Sequence, residues 1–242
     1  MVYQTQKWGG YLTKKQYRNE LKFLLTPSQA EILKHRLSFA MEVDKNSVND
    51  DDTYFIRSLY FDDFEKSAYY DKIDGVEERK KYRIRLYNMD DSFIRLECKE
   101  KKRDLVHKRQ IKISKELCLQ LIDGKIIESL LTEENLLGEF VREMKTKNLT
   151  PSVIVDYHRL AYTYPVEDTR VTFDECISSG RFDYNLFSKD ITTYQIFSEK
   201  ETVLEVKFNN NIPKHIAAII MTVPTIRQAI SKYTFCHEKK EV

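Results

Sequence analysis

The sequence predicts an α+β fold in which an antiparallel sheet closes or nearly closes on itself and helices pack outside it. Several segments of the 242-residue chain alternate charged and apolar residues, which is typical of strands with two different faces. Helical patterns stand before, between and after these segments, and no linker rich in Pro, Gly or Ser divides them. We therefore expect one domain over residues 16–237, preceded by an N-terminal tail over residues 1–15.

The composition excludes several classes of protein. Lys and Arg total 40 against 38 Asp and Glu, so a net charge of +2 argues against nucleic-acid binding through bulk charge. The four cysteines form no Cys-x-x-Cys pair, and the chain contains no Gly-rich phosphate-binding loop. No apolar leader and no apolar run of about 18 residues occurs, so we expect a cytoplasmic protein without a membrane span of its own.

The first half of the chain supplies strands and two helices. The first predicted strand is YRNELKF. Thr26, Pro27 and Gln29 then provide an N-cap, a proline in the first turn and a capping-box partner, so a helix begins there. A strand rich in aromatic and branched residues follows, TYFIRSLYFDD, and then a short helix, KSAYYDKIDG, which ends at Gly75.

The second half continues with a meander and further strands. NMDD separates KKYRIRLY from SFIRLECKEK and has the composition and length of a hairpin turn, and HKRQIKI adds a third strand. Ser114 caps a short helix that ends at Gly124, and a second helical stretch covers about Thr132 to Lys147. Three more strands follow, SVIVDYHRLAYTY, TRVTFDECI and TVLEVKF, then a helix through PKHIAAIIM and a tail, RQAISKYTF.

The strands repeat one arrangement, with charged side chains on one face and apolar side chains on the other. In KKYRIRLY the charged face consists of Lys81, Arg83 and Arg85. The corresponding faces of the other strands carry Arg18, Glu20 and Lys22; Arg95, Glu97, Lys99 and Lys101; Tyr157 and Arg159; Arg170, Thr172 and Asp174; and Glu205 and Lys207. In an open sheet these faces would be solvated, whereas in a closed sheet they would line an interior. The helices available to cover the outside favour closure.

A cationic interior calls for a polyanion, because charges removed from water are destabilising unless they are paired. Arginine suits bidentate contacts with phosphate, and lysine supplies point charge. The carboxylates among the cations are either structural ion pairs or oxygen ligands for Mg²⁺ or Mn²⁺, which bridge phosphate oxygens. The pattern therefore predicts an interior that binds phosphate chains.

Eight short motifs, in order, cover nearly the whole chain: YRNELKF, IRSLYFD, KYRIRLY, FIRLECKEK, VDYHRLAY, RVTFD, LEVKF and SKY. With them the sequence resembles the polyphosphate polymerase (VTC catalytic) domain, a branch of the CYTH-like triphosphate tunnel metalloenzymes. The resemblance implies an eight-stranded antiparallel β-barrel, the triphosphate tunnel, with helices packed outside. It also implies inward Lys and Arg side chains that bind a nucleoside triphosphate or phosphate chain beside a glutamate-held metal.

The resemblance assigns roles to individual residues. The implied catalytic residues are Arg83, Arg85, Lys99, Arg159, Lys207 and Lys232. The resemblance implies phosphate binding by Lys22, Lys108, Arg170, Ser231 and Tyr233, and the charged strand faces add Lys81 and Lys101 as expected phosphate-binding residues. Glu205 matches the metal-binding glutamate, with Glu20 and Glu97 as helpers, and the implied ion is Mn²⁺ or Mg²⁺.

The implied activity is metal-dependent transfer of the ATP γ-phosphate to orthophosphate or to a growing polyphosphate chain. Tunnel triphosphatases typically begin with Glu-x-Glu-x-Lys, whereas the equivalent residues here are Arg18, Glu20 and Lys22. A cation thus replaces one metal-holding carboxylate, which favours a polymerase over a hydrolase. The alternatives are hydrolysis of tripolyphosphate or nucleoside triphosphates, and non-catalytic sensing of polyphosphate or inositol phosphates.

The resemblance also suggests partners. ATP, orthophosphate and polyphosphate are the expected small molecules, and no nucleic acid is expected. Yeast-type relatives work inside a membrane complex, so a separately encoded membrane partner is a further expectation.

Overall fold

The computed structural model describes residues 5–8, 11–14, 17–45, 47, 52–103, 105–197 and 201–238. The strands within these ranges are β1 (Thr5–Trp8), β2 (Tyr11–Lys14), β3 (Asn19–Leu25), β4 (Glu42–Val43), β5 (Thr53–Asp62), β6 (Glu78–Tyr87), β7 (Asp90–Lys102), β8 (Leu105–Ile113), β9 (Thr150–Tyr164), β10 (Thr169–Ser179), β11 (Tyr194–Gln195) and β12 (Thr202–Phe208). The α-helices are α1 (Pro27–Ser38), α2 (Ser67–Ile73), α3 (Lys115–Ile122), α4 (Leu136–Lys147), α5 (Lys214–Ile220) and α6 (Lys232–Glu238). None of these helices has the length and apolar character needed to cross a membrane.

Eight strands form one continuous antiparallel path in the order β3, β12, β10, β9, β5, β6, β7, β8. Its two end strands meet at Arg18, just before β3, and Val106 on β8. These two residues exchange both backbone hydrogen bonds, with N···O distances of 3.0 and 3.1 Å. The sheet therefore curls until its edges touch and encloses an interior. The α+β fold with an antiparallel barrel is confirmed.

The apolar faces of the strands pack outward under the helices, as predicted. Phe140 on α4 contacts Phe61 on β5 and Tyr82 on β6, with ring centroids 5.0 and 5.2 Å apart. Leu33 and Leu37 of α1 are fully buried over the side of the barrel formed by β10 and β12. Because the helices bury the apolar faces, the charged faces are left to line the interior.

Most predicted elements are present, with two informative differences. α4 begins at Leu136 rather than near Thr132, because the Asn135 side chain accepts a hydrogen bond from the backbone N–H of Gly138 at 3.0 Å and caps the helix there. Part of the predicted tail RQAISKYTF is helical, since α6 begins at Lys232. Within residues 1–15, β1 and β2 pair with each other as antiparallel strands outside the eight-strand path. The domain boundary at residue 16 stays a prediction.

Candidate functional site

The interior of the barrel is a cavity of about 850 Å³ whose wall includes residues from all eight strands of the path and from α6. The predicted site residues on this wall are Glu20, Lys22, Lys81, Arg83, Arg85, Lys99, Lys108, Arg159, Arg170, Glu205, Lys207, Ser231, Lys232 and Tyr233. Lys101 lines instead a second, adjoining cavity of about 410 Å³. Glu97 lies behind the wall and is 1% exposed. The fold thus brings the predicted residues together, while their catalytic and binding roles stay predictions.

Two carboxylates and three lysines form a cluster on the β3, β7 and β12 side of the cavity. The register pairs Glu205 with Lys22 and Lys207 with Glu20 across β12 and β3, so each carboxylate has a lysine opposite it. Lys22 Nζ lies 3.3 Å from Glu205 Oε2 and 3.7 Å from Glu20 Oε2. Lys207 Nζ lies 2.5 Å from Glu205 Oε1, and Lys99 Nζ lies 2.7 Å from Glu20 Oε2.

This cluster keeps both carboxylates ionised. Burial and the nearby Glu205 raise the pKa of Glu20, but Lys99, Lys22 and Lys207 outweigh them and lower it to about 2. Burial also raises the pKa of Glu205, and the same lysines hold it well below its ordinary value. Lys99 responds in the opposite direction, because burial lowers its pKa to about 8 despite the attraction of Glu20.

The ionised pair Glu20 and Glu205 fits a hard divalent cation. Mg²⁺ and similar ions are commonly held by one or two carboxylates, with waters and phosphate oxygens completing the shell. In the structure, lysine ammonium groups form ion pairs with the oxygens of both carboxylates. A divalent ion would take over that neutralising role and leave the lysines for phosphate.

A second group of metal-ligating side chains lies among the described residues, away from the cavity. Cys98, Glu100 and Glu139 offer ligand atoms within 4.8 Å of one another. Arg109 forms ion pairs with both Glu100 and Glu139, the latter at 2.6 Å. Burial raises the pKa of the Cys98 thiol to about 12. Because Arg109 pairs with both carboxylates, we interpret this group as an ion-pair cluster.

Glu97 binds the cations of β6 and β8 from behind the wall. Arg83 Nη2 lies 2.7 Å from Glu97 Oε2, and Lys108 Nζ lies 2.9 Å from Glu97 Oε1. Arg85 Nη1 is 3.7 Å from the same carboxylate. These contacts favour the structural ion-pair interpretation of Glu97 over direct metal binding.

Three arginines of the wall are oriented by tyrosine hydroxyls, and the sequence reasoning missed two of these tyrosines. The pairs are Arg83 with Tyr60 at 2.7 Å, Arg85 with Tyr157 at 2.9 Å and Arg170 with Tyr54 at 2.9 Å. A neutral hydroxyl accepts from the guanidinium without cancelling its charge, so the arginine stays attractive to phosphate. The signal for Tyr54 and Tyr60 was their shared position, with Ser58, on one face of TYFIRSLYFDD.

Asp174 joins a strand cation to the cation of α6. Arg159 donates to its two oxygens at 2.6 and 2.7 Å, and Lys232 forms an ion pair with Oδ2. Asp174 is fully buried, which raises the pKa of its carboxyl, but Arg159 and Lys232 lower it to about 2. This carboxylate therefore fixes two predicted catalytic cations in place.

The low carboxyl pKa values predict acid sensitivity. The folded pKa of Glu20, about 2, lies below its ordinary 4.5, so its stabilising contribution is complete above about pH 4.5 and is lost as pH falls toward 2. We expect the melting temperature to fall between pH 5 and pH 3, and to fall less in Glu20→Gln. Thermal unfolding monitored by circular dichroism measures this, and equal falls in both proteins would contradict the assignment.

Comparison with known proteins finds one matching family model and several similar solved structures. A family model described as the VTC domain matches residues 17–239. A solved structure of the putative adenylyl cyclase HpAC1 from Hippeastrum, described as having a dominant triphosphatase activity, is 15% identical with a TM-score of 0.53, covering 92% of this chain and 96% of that one. The match with a putative adenylate cyclase from Bacillus halodurans has 14% identity and a TM-score of 0.48, covering 86% and 87%.

The PH1819 protein from Pyrococcus horikoshii OT3 is 13% identical with a TM-score of 0.46, covering 92% of this chain and 99% of that chain. No curated protein sequence matches the chain. The family match extends from the start of β3 to the end of α6 and includes every residue of the cavity wall named above. The chain belongs to the VTC domain family.

Proposed function

We propose that the protein is a polyphosphate polymerase, which transfers the γ-phosphate of ATP to orthophosphate or to a growing polyphosphate chain in a metal-dependent reaction. The observation that carries the proposal is a cavity inside the barrel whose wall carries many cations and, at one place, two ionised carboxylates. Its lining contains more Lys and Arg than Asp and Glu, so a polyanion would lower its electrostatic free energy.

The cations divide into two groups in this proposal. Arg83, Arg85 and Lys99 hold the triphosphate, since the two arginines are already oriented by tyrosine hydroxyls. The other group, Arg159, Lys207 and Lys232, neutralises the phosphoryl group as it transfers. Phosphoryl transfer needs little covalent chemistry from a protein, and positioning with charge stabilisation supplies most of the rate.

Glu205 and Glu20 would hold Mn²⁺ or Mg²⁺, and that ion would supply charge stabilisation to phosphate oxygens and the leaving group. Lys22, Lys99 and Lys207, which pair with these carboxylates in the structure, would then bind phosphate instead. The acceptor is a phosphate oxyanion, which is already ionised and needs no general base.

Hydrolysis is the second candidate, because the structurally similar HpAC1 protein is described as having a dominant triphosphatase activity. That reaction must activate a water molecule. The position expected to carry the first carboxylate of a triphosphatase is Arg18, which forms an ion pair with Asp168. A cation at this place removes one metal ligand, which supports transfer to phosphate over transfer to water.

The products distinguish these functions. The purified protein is incubated with ATP and Mn²⁺, phosphate chains are separated on a gel and stained, and ADP and orthophosphate are quantified. A ladder of chains that grows with ADP supports the polymerase, and orthophosphate alone supports a hydrolase. If neither forms but tripolyphosphate raises the melting temperature without metal, the protein is a phosphate sensor.

The proposal also extends to partners and location. ATP, orthophosphate and polyphosphate are the small-molecule partners, and the cytoplasm is the proposed compartment because it supplies ATP. A separately encoded membrane protein is the proposed macromolecular partner. Co-purification of the tagged protein from solubilised membranes tests it, with recovery in the soluble fraction alone as the opposing result.

A further inference from the structure

Lys81 differs from the other cations of the cavity wall. Its amine nitrogen is buried and has no hydrogen-bond partner within the part of the chain that the structure describes. The nitrogen lies 4.4 Å from the ring centroid of Tyr233, whose hydroxyl donates to Asp62. The ring offers a cation–π contact, which is weaker than the carboxylate contacts made by Lys22, Lys99 and Lys207 in the cluster described above.

The groups around Lys81 disfavour the charged, protonated form of its amine. The charged and titratable groups around it are Asp62 on β5, Lys72 on α2, Arg79 on the same strand, Lys99 on β7 and Tyr233 on α6, and, on the wall of the smaller cavity, Glu20 and Lys22 on β3, Lys101 on β7 and Arg227. Burial lowers the pKa of Lys81 to about 7; Arg79, Lys72 and Lys99 act in the same direction, and Asp62 opposes them. At neutral pH the amine is therefore partly uncharged.

Lys81 also occupies a distinctive place in the fold. It lines both the large cavity and the smaller one, together with Glu20, Lys22, Lys99, Val106 and Ser231. The smaller cavity adds Lys72, Arg79, Lys101 and Arg227 to its wall. Lys81 therefore lies where the two cavities adjoin.

We propose that Lys81 is a proton-coupled phosphate subsite at the junction of the two cavities, which takes up a proton from solvent when a phosphate group binds beside it. This inference rests on the proposed function, because it assumes that a phosphate chain enters the cavity. The anion supplies the counter-charge that Lys81 lacks, and an opposite charge within about 4–6 Å favours the ammonium form. One N–H bond forms on Lys81, and one bond to hydrogen breaks in the hydronium ion or buffer acid that supplies the proton.

The physical consequence is a site whose charge depends on whether a phosphate group is bound. Without a bound anion, the uncharged amine of Lys81 leaves one fewer buried positive charge among Lys72, Arg79 and Lys99. Phosphate binding restores the charge at the place where it is needed. Binding should therefore weaken as pH rises above about 7, in proportion to the proton that must be taken up.

Calorimetry of tripolyphosphate binding tests the inference. Titrations with EDTA in two buffers of different ionisation enthalpy, at pH 8 and pH 6, give the number of protons taken up per tripolyphosphate bound. The comparison is between the wild type and Lys81→Arg, which keeps the charge but does not titrate in this range. At pH 8 we expect the wild type to take up about one proton more than Lys81→Arg for each tripolyphosphate bound. At pH 6 we expect nearly no difference between the two proteins.

The difference between variants is the readout, because tripolyphosphate, Lys99 and Lys108 also titrate near pH 8. Lys80→Arg is the matched control, since Lys80 is the next residue on β6, on the outer face, and pairs with Glu139 and Glu143. It should behave as the wild type. Lys81→Met is the second variant, and at pH 8 it should also take up about one proton fewer than the wild type for each tripolyphosphate bound.

Equal proton uptake by the wild type and Lys81→Arg at pH 8 would overturn the inference while the proposed function stands. Absence of tripolyphosphate binding by the folded wild type would overturn the proposed function and this inference with it. Binding with a proton difference confined to pH 8 supports both.

Discussion

Glu205→Gln is expected to reduce metal-dependent turnover by about 10²–10³-fold, the usual effect of removing one group that stabilises transition-state charge. Glu205 is buried between Lys22 and Lys207, and its ionised oxygens are the proposed metal ligands. Glutamine keeps the shape but removes the charge. Phosphate binding without metal should be retained or become tighter, because the two lysines lose a competing anion.

Steady-state rates at several Mn²⁺ concentrations and tripolyphosphate affinity in EDTA measure the two halves of this prediction. Glu175→Gln is the matched control, because Glu175 lies on the neighbouring strand β10, on the outer surface, and pairs with Lys34 at 2.7 Å. It should leave turnover unchanged. Unchanged turnover in Glu205→Gln would contradict the metal assignment.

Asp174→Asn is expected to lower the free energy of unfolding by about 3–5 kcal/mol, the effect of breaking a buried ion pair by removing one partner. The substitution leaves Arg159 and Lys232 buried and close together without their shared counter-ion. Turnover should fall as well, since both cations lose the group that positions them. Denaturant unfolding measures the first effect, and the product assay at a temperature well below melting measures the second.

Tripolyphosphate separates this role from a purely structural one. If Arg159 and Lys232 face the phosphate site, the anion replaces the missing carboxylate and should raise the melting temperature of Asp174→Asn more than that of the wild type. Equal shifts in both proteins would contradict the placement of these cations at the site. Glu175→Gln again serves as the control on the same strand.

The charged wall of the barrel was predictable from the sequence because a strand assigns alternate residues to opposite faces. KKYRIRLY therefore placed Arg83 and Arg85 on the wall without knowledge of the neighbouring strands. The sequence did not show which face of β5 lines the cavity, because Tyr54 and Tyr60 carry no charge and resemble core residues in sequence. Their hydroxyls become visible as arginine partners only once β5 lies beside β6 and β9.

Alternation gives the face of a residue but not its depth or its partners. Lys101 shares a face with Lys99, yet it lies nearer the end of β7 and lines the smaller cavity. Glu97 shares that face as well, but it stands opposite Arg83 in the register and is covered by its ion pairs. Such distinctions depend on contacts between strands, which alternation within a single strand does not show.

The oxygen content of the products tests the central claim, transfer to phosphate rather than to water, most directly. The reaction is run with ATP, orthophosphate and Mn²⁺ in ¹⁸O-enriched water, and the products are analysed by mass spectrometry. We predict that the phosphate units added to chains match the ADP formed and contain no oxygen derived from solvent, because the acceptor phosphate supplies the bridging oxygen. Orthophosphate carrying one solvent oxygen for each ADP, without chains, would contradict that claim.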